Sequence, residues 1–256
     1  MPAWLKVNSG LASSDTEGQV ASLRSVLPAT DKQNATYTTV LVGSGRTPVV
    51  IADNFHPAPD KLRAQACGLS FTAASEDYYP GVLAPAHSHY QEFVNEQLPT
   101  IMGVARRRYH TLKLSACRFS LATQKPGTLK PIQCVPHFDA VSDNEWAMVH
   151  YLSLNNTGGT AFYRHRDTAF EKVTSAAAGR YLQRLKEQAT TVGFPANDYI
   201  RQDTRLFKHI AQIEWAFNRA IFYPSNLFHS GVISASILSE DPATGRLTGN
   251  ACIQIG

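Results

Sequence analysis

The sequence predicts a mainly β domain, a sandwich or barrel with helices at its flanks. Three observations carry this expectation. From residue 112 onward the chain breaks into short β-forming runs, at 112–121, 135–140, 146–154, 160–163, 219–223, 227–233 and 246–255. Turn-forming clusters separate them: Lys125-Pro126-Gly127, the stretch 155–159, Pro224-Ser225-Asn226 and the stretch 241–245. Hydrophobic residues make up 43% and charged residues 17% of the 256. That balance fills a core and excludes a disordered chain.

Taken in order, residues 1–45 are polar and weakly patterned and form an N-terminal extension, either an arm or short added strands. A strand occupies 48–52 and stops at Asp53-Asn54, a turn pair. Pro57 opens a helix over 58–66, since proline suits a first helical turn. Tyr78-Tyr79-Pro80-Gly81 reads as a loop. Tyr90, Phe93, Val94, Leu98 and Ile101 fall at helical spacing within 87–103. The β runs then follow, interrupted once. Residues 171–217 are rich in helix formers, above all 176–188, and read as a helical insertion into a single domain spanning 46–256, expected to cover the mouth of the barrel.

The formal net charge of +4 is spread along the chain, and its one dense run, Arg106-Arg107-Arg108, suits a solvated turn. Nucleic acid is therefore not an expected partner. No apolar run approaches the roughly 20 residues needed to span a bilayer, and the start of the sequence lacks a signal-peptide pattern, so a cytoplasmic location is expected. Cys67, Cys117, Cys134 and Cys252 form no metal-binding or redox pair and read as reduced, packed thiols.

The chemistry centres on Pro136-His137-Phe138-Asp139. Residues two apart on a strand share a face, so His137 and Asp139 project together. A second imidazole is available from His229 in Phe228-His229-Ser230-Gly231. Two histidines and one carboxylate on one side of a metal leave coordination positions open. An isolated His-x-Asp is weak evidence, because most such pairs are surface residues. Its weight comes from Arg246, Thr248 and Asn250, which share a face of the last strand. An arginine fork grips a carboxylate through two charge-assisted hydrogen bonds, and a threonine hydroxyl adds a third. The plainer alternative is a surface arginine paired with an acid near Asp241.

These segments, together with Ala116-Cys117-Arg118-Phe119-Ser120, the run 158–166 and the run 217–224, resemble the 2-oxoglutarate/iron(II) dioxygenase superfamily in its prolyl-4-hydroxylase-like branch. More narrowly they are similar to a little-characterised bacterial family within it. The resemblance spans about residues 48–256. It implies a double-stranded β-helix (jelly-roll, cupin-like) core, iron(II) held by His137, Asp139 and His229, and 2-oxoglutarate and O2 as cosubstrates. It places Arg246 and Thr248 on the distal carboxylate of 2-oxoglutarate, and Tyr151 beside them. Many relatives carry a cosubstrate-contacting tyrosine where this chain has Arg118, a departure that leaves the role of Arg118 open. Halogenating relatives lack the carboxylate supplied here by Asp139, so hydroxylation of a C–H bond is the implied outcome. The substrate is a small metabolite, an amino acid or a peptide, and the oligomeric state is open.

Of the other histidines, His150 points away from the metal if Tyr151 points in, and His56, His87, His89, His110 and His209 lack ligand spacing. Arg164-His165-Arg166 is either a cationic pocket rim or a solvated strand end. Two further classes compete with the oxygenase. One is a zinc hydrolase, for which neither His-Glu-x-x-His nor a general base at the metal motif is present. The other is a non-catalytic jelly-roll binding or sensor domain.

Overall fold

The computed structural model of the protein describes residues 34–73, 79–155, 158–193 and 195–256. Much of the expected N-terminal extension, residues 1–33, lies outside the described residues.

Two antiparallel sheets face each other. The larger has the order β1-β2-β9-β6-β11-β5-β4-β3, and the smaller β10-β7-β8. The strands are β1 (Thr36–Val42), β2 (Thr47–Asp53), β3 (Thr72–Ala73), β4 (Gly81–Pro85), β5 (Leu112–Ala122), β6 (Glu145–Tyr151), β7 (Thr160–His165), β8 (Phe207–Ile213), β9 (Ala220–Pro224), β10 (His229–Gly231) and β11 (Arg246–Ile255). Residue 137 adds a rung to the small sheet through an antiparallel bridge with His229. From β5 onward the chain passes repeatedly between the two sheets, giving the central order β9-β6-β11-β5 opposite 137-β10-β7-β8. This is the double-stranded β-helix, or jelly-roll, expected from the sequence.

Strand alternation separates three apolar layers. The outer face of the large sheet, with Phe119, Met148, Phe222, Leu247 and Ala251, packs under α1 (Pro59–Cys67) and α2 (Ser88–Val104) through Leu62, Tyr90, Val94, Leu98 and Ile101. Between the sheets lie Ala147, Tyr151, Phe162, Ile221 and Tyr223. The outer face of the small sheet, with Ala161, Tyr163, Phe207 and Phe228, is covered by α3 (Ser175–Thr191) through Tyr181 and Leu185.

Within the N-terminal extension, residues 36–42 take the second of its two expected forms, an added strand: β1 pairs with β2 along its whole length and joins the large sheet. The turn between them is held by Glu171, buried in the β7–α3 connection. Its carboxylate accepts from Ser44 N and Oγ, both at 3.0 Å, and from Gly45 N at 3.1 Å, and is paired with Arg164. One organisational expectation, the helical insertion, is corrected: the segment 171–217 is helical only over 175–191, and its residues 207–213 form core strand β8, paired with β7. Nor does α3 cover the mouth of the barrel. It lies on the back of the small sheet because its apolar residues, Tyr181 and Leu185, match that sheet's outer face.

His150 sits on the helix-covered side of β6, fully buried, with Nδ1 2.8 Å from Tyr90 Oη and Nε2 3.0 Å from Asn218 Oδ1. Burial pushes its pKa down to about 3, although Asn218 opposes the shift. The unfolded chain takes up this proton near the ordinary histidine value and the folded chain does not. The contribution is thus present above about pH 6.5 and lost as pH falls toward the folded value. We expect His150→Gln to flatten the loss of unfolding free energy between about pH 6 and about pH 4 by about 1.4 kcal/mol per pH unit, for one proton. Urea unfolding of metal-free protein across that range measures it. An unchanged slope would mean that the imidazole protonates in place.

Candidate metal centre

His137 and His229 are direct cross-strand partners. His137 N donates to His229 O at 3.0 Å and His229 N to His137 O at 2.9 Å. Such opposed residues send their side chains to one face, which brings the rings to 4.3 Å between centroids. Asp139, two residues on, is anchored by Asp139 N donating to Ser225 O at 2.7 Å. Its carboxylate oxygens stand 3.7 Å from His137 Nε2 and 3.5 Å from His229 Nε2. One ligand atom from each of the three lies within 4.8 Å of the others. Phe138 and Phe228, neighbours of the candidate ligands pointing the other way, pack with Tyr181 of α3. The helix therefore backs the ligand-bearing strands from outside.

Protonation suits metal binding. His229 is buried, and desolvation pushes its pKa down to about 4, partly opposed by the Leu227 carbonyl. Its Nδ1 lies 2.8 Å from that carbonyl, which places the proton on Nδ1 and leaves the Nε2 lone pair facing Asp139. His137 is also lowered, by desolvation first and then by the neighbouring His229. Half of the His137 side chain is exposed, so solvent screens its shift and the firmer conclusion concerns His229. Two neutral imidazoles and a carboxylate fit iron(II), and the same set also accepts zinc.

Arg246, Thr248 and Tyr151 come together on the inner face of the large sheet. Thr248 pairs with Tyr151 across β11 and β6, and all three residues are buried. Tyr151 Oη is 2.8 Å from Thr160 Oγ1, and Arg246 Cζ is 6.0 Å from the Tyr151 ring. Arg246 Nη2 donates to Gly159 O at 3.3 Å, while Nε has no acceptor. Among the described residues no carboxylate forms an ion pair with it. The guanidinium lies over Gly231, where a Cβ would stand 3.3 Å from Nη2. The plainer reading, a surface arginine paired near Asp241, does not describe this buried group.

Arg118 is half-buried and lies apart from Arg246. It pairs with Asn250, four residues along β11 and so about 13 Å away at the usual strand rise. Asn250 Nδ2 donates to Ser120 Oγ and Thr248 Oγ1 at 2.7 and 3.0 Å. The cluster 164–166 is solvated only at Arg166, just past the end of the strand. His165 is buried under α3 between Thr168 and Gln188, Arg164 pairs with Glu171, and Arg166 with Asp203. Cys134 is a packed thiol. Tyr199, in the connection after α3, donates to Gln124 O at 2.7 Å. One site residue was not assigned from sequence: Tyr223, whose ring sits edge-on to His229 at 4.7 Å. Its position two residues after Ile221 on β9, with both facing inward, was the available signal.

Fold and site together define a double-stranded β-helix protein with a candidate two-histidine, one-carboxylate metal centre and a buried arginine on the facing sheet. The chain belongs to DUF6445, a family of unknown function, whose model matches residues 33–253. No curated protein matches it. Among solved structures it is similar to HygX from Streptomyces hygroscopicus with nickel and 2-oxoglutarate bound. There the identity is 10%, the TM-score 0.48, and the match covers 82% of this chain and 83% of that one. It is also similar to SnoN, the non-heme alpha ketoglutarate dependent epimerase from nogalamycin biosynthesis, at 12% identity and TM-score 0.46, covering 82% of this chain and 79% of that one. No helix among the described residues is long and apolar enough to cross a membrane.

Proposed function

We propose that this protein is a non-haem iron(II), 2-oxoglutarate-dependent oxygenase that hydroxylates an unactivated C–H bond of a small metabolite, amino acid or peptide. The observation that carries the reading is Arg246. A guanidinium this deeply buried, with one long hydrogen bond to a carbonyl and an unpartnered Nε, calls for an anion that the described residues do not provide.

His137, Asp139 and His229 are the residues that would hold the metal. Iron(II), when bound with 2-oxoglutarate and O2, supplies the oxidising power for attack on an aliphatic carbon. The chain does the positioning. The Leu227 carbonyl fixes the His229 tautomer, and α3 braces the strands that carry the ligands. Arg246 supplies the counter-charge to the distal carboxylate, with Thr248 and Tyr151 as polar neighbours. The apolar layer between the sheets keeps water from that end. Asp139 occupies the place that halogenation needs vacant, which supports hydroxylation.

The test is direct. Metal-free protein given iron(II) and 2-oxoglutarate under nitrogen is expected to develop a visible charge-transfer band. On admission of air it is expected to convert 2-oxoglutarate to succinate. Zinc binding with neither band nor succinate would point to a hydrolase and sink the oxygenase reading.

A further inference from the structure

Tyr223 is a polar side chain between the sheets that the reading above leaves unused. On β9, Ala220 and Phe222 join the layer under the helices, while Ile221 and Tyr223 face the small sheet. The Tyr223 ring stands edge-on to His229 at 4.7 Å and to Phe162 at 5.3 Å. The residue is 1% exposed, and its hydroxyl is neither hydrogen-bonded to the described residues nor one of their fully enclosed unpartnered atoms. An oxygen left open in so buried a residue faces the space between the sheets, where a bound acceptor can reach it. Burial lifts the phenol far above its usual range. The Asp139 carboxylate lifts it further and Arg246 opposes it, so the hydroxyl lies within electrostatic reach of both ends of the site. Tyr151, whose own hydroxyl is engaged by Thr160, and Cys252 are the other titratable groups that face it.

We propose that Tyr223 is a cosubstrate-binding residue whose hydroxyl donates a hydrogen bond to the metal-side end of a 2-oxo acid that is held at its far end by Arg246. This inference rests on the oxygenase reading and adds a contact to it. A phenol leaning on His229 is placed to meet the 2-oxo-carboxylate end, while Arg246 reads the far charge, so the two residues hold opposite ends of the acid.

Tyr223→Phe removes the hydroxyl and keeps the ring against His229. Metal affinity, 2-oxoglutarate affinity of the metal-loaded protein and melting of the metal-free protein are measured together. The expected result is 2-oxoglutarate binding weakened about tenfold or more, as for loss of a hydrogen bond to a charged group. Metal affinity stays unchanged, and the metal-free protein melts no lower than wild type. An unchanged 2-oxoglutarate constant overturns the proposal. So does a variant that melts earlier and loses metal in proportion, since that result assigns Tyr223 to packing alone. If metal-loaded wild-type protein binds no 2-oxoglutarate, the oxygenase reading itself fails and takes this proposal with it.

Discussion

His137→Ala, Asp139→Ala and His229→Ala are each expected to lose iron binding and 2-oxoglutarate turnover by more than about a hundredfold, since even groups that merely support a ligand are worth 10–100-fold. The three differ in what they ask of the fold. His137 is half open to solvent, so its truncation leaves the core untouched. His229 is buried against Tyr223 and Phe162, so its truncation also opens a small void. Asp139→Ala removes the only carboxylate of the candidate ligand set and leaves two neutral imidazoles, which hold a divalent metal poorly. Metal content after anaerobic iron loading and succinate formation measure the effect. A variant that keeps wild-type activity would show that its residue is not a ligand.

Arg246→Ala carries the second large effect. Truncating one member of a buried charged contact costs about 2–5 kcal/mol, so the apparent 2-oxoglutarate constant should rise well over tenfold. Iron affinity should hardly move, because the candidate ligands lie on the opposite sheet. Arg246→Lys should fall between, keeping the charge and losing the fork. Stability gives an independent check. The guanidinium has no carboxylate partner among the described residues, so its removal should not lower the melting temperature of the metal-free protein as breaking a buried ion pair would. Titration of 2-oxoglutarate into iron-loaded variants under nitrogen settles the affinity. An unchanged constant in Arg246→Ala would leave a metal site without a cosubstrate.

What could be read from the sequence was whatever strand parity and local turn chemistry encode. The long strand β11 was found over its full length, and its two-residue period placed Arg246, Thr248 and Asn250 on one face. His137 and Asp139 were grouped by the same rule. Parity gives the face of a sheet but not the position along it: Arg118, whose role the resemblance leaves open, pairs with Asn250, four residues along β11 from Arg246. Strand β8 was hidden because it bulges at Ile210, with Phe162 opposite Ala211 and Tyr163 opposite His209, which breaks its alternation, and its apolar residues also fit a helical spacing. Edge strand β1 is largely exposed, so its polar texture matches that of an arm. His165 was misplaced because its partner Gln188 comes from a helix whose docking face no local pattern announces.

The turn between β1 and β2 gives the start of the domain a bearing on its chemistry. Gly43, at φ 70°, has a backbone conformation that side chains rarely adopt, and a Cβ there would displace the Glu171 carboxylate. The backbone carbonyl of Glu171 accepts from Phe228 N at 2.8 Å, and Phe228 is joined directly to His229. A push on Ser44 thus crosses one side chain and one peptide hydrogen bond before it reaches a candidate ligand. Sequence distance conceals this short mechanical linkage. A protein shortened to begin at residue 46 would keep every candidate ligand, yet of these partners it would leave the buried Glu171 carboxylate with Arg164 alone.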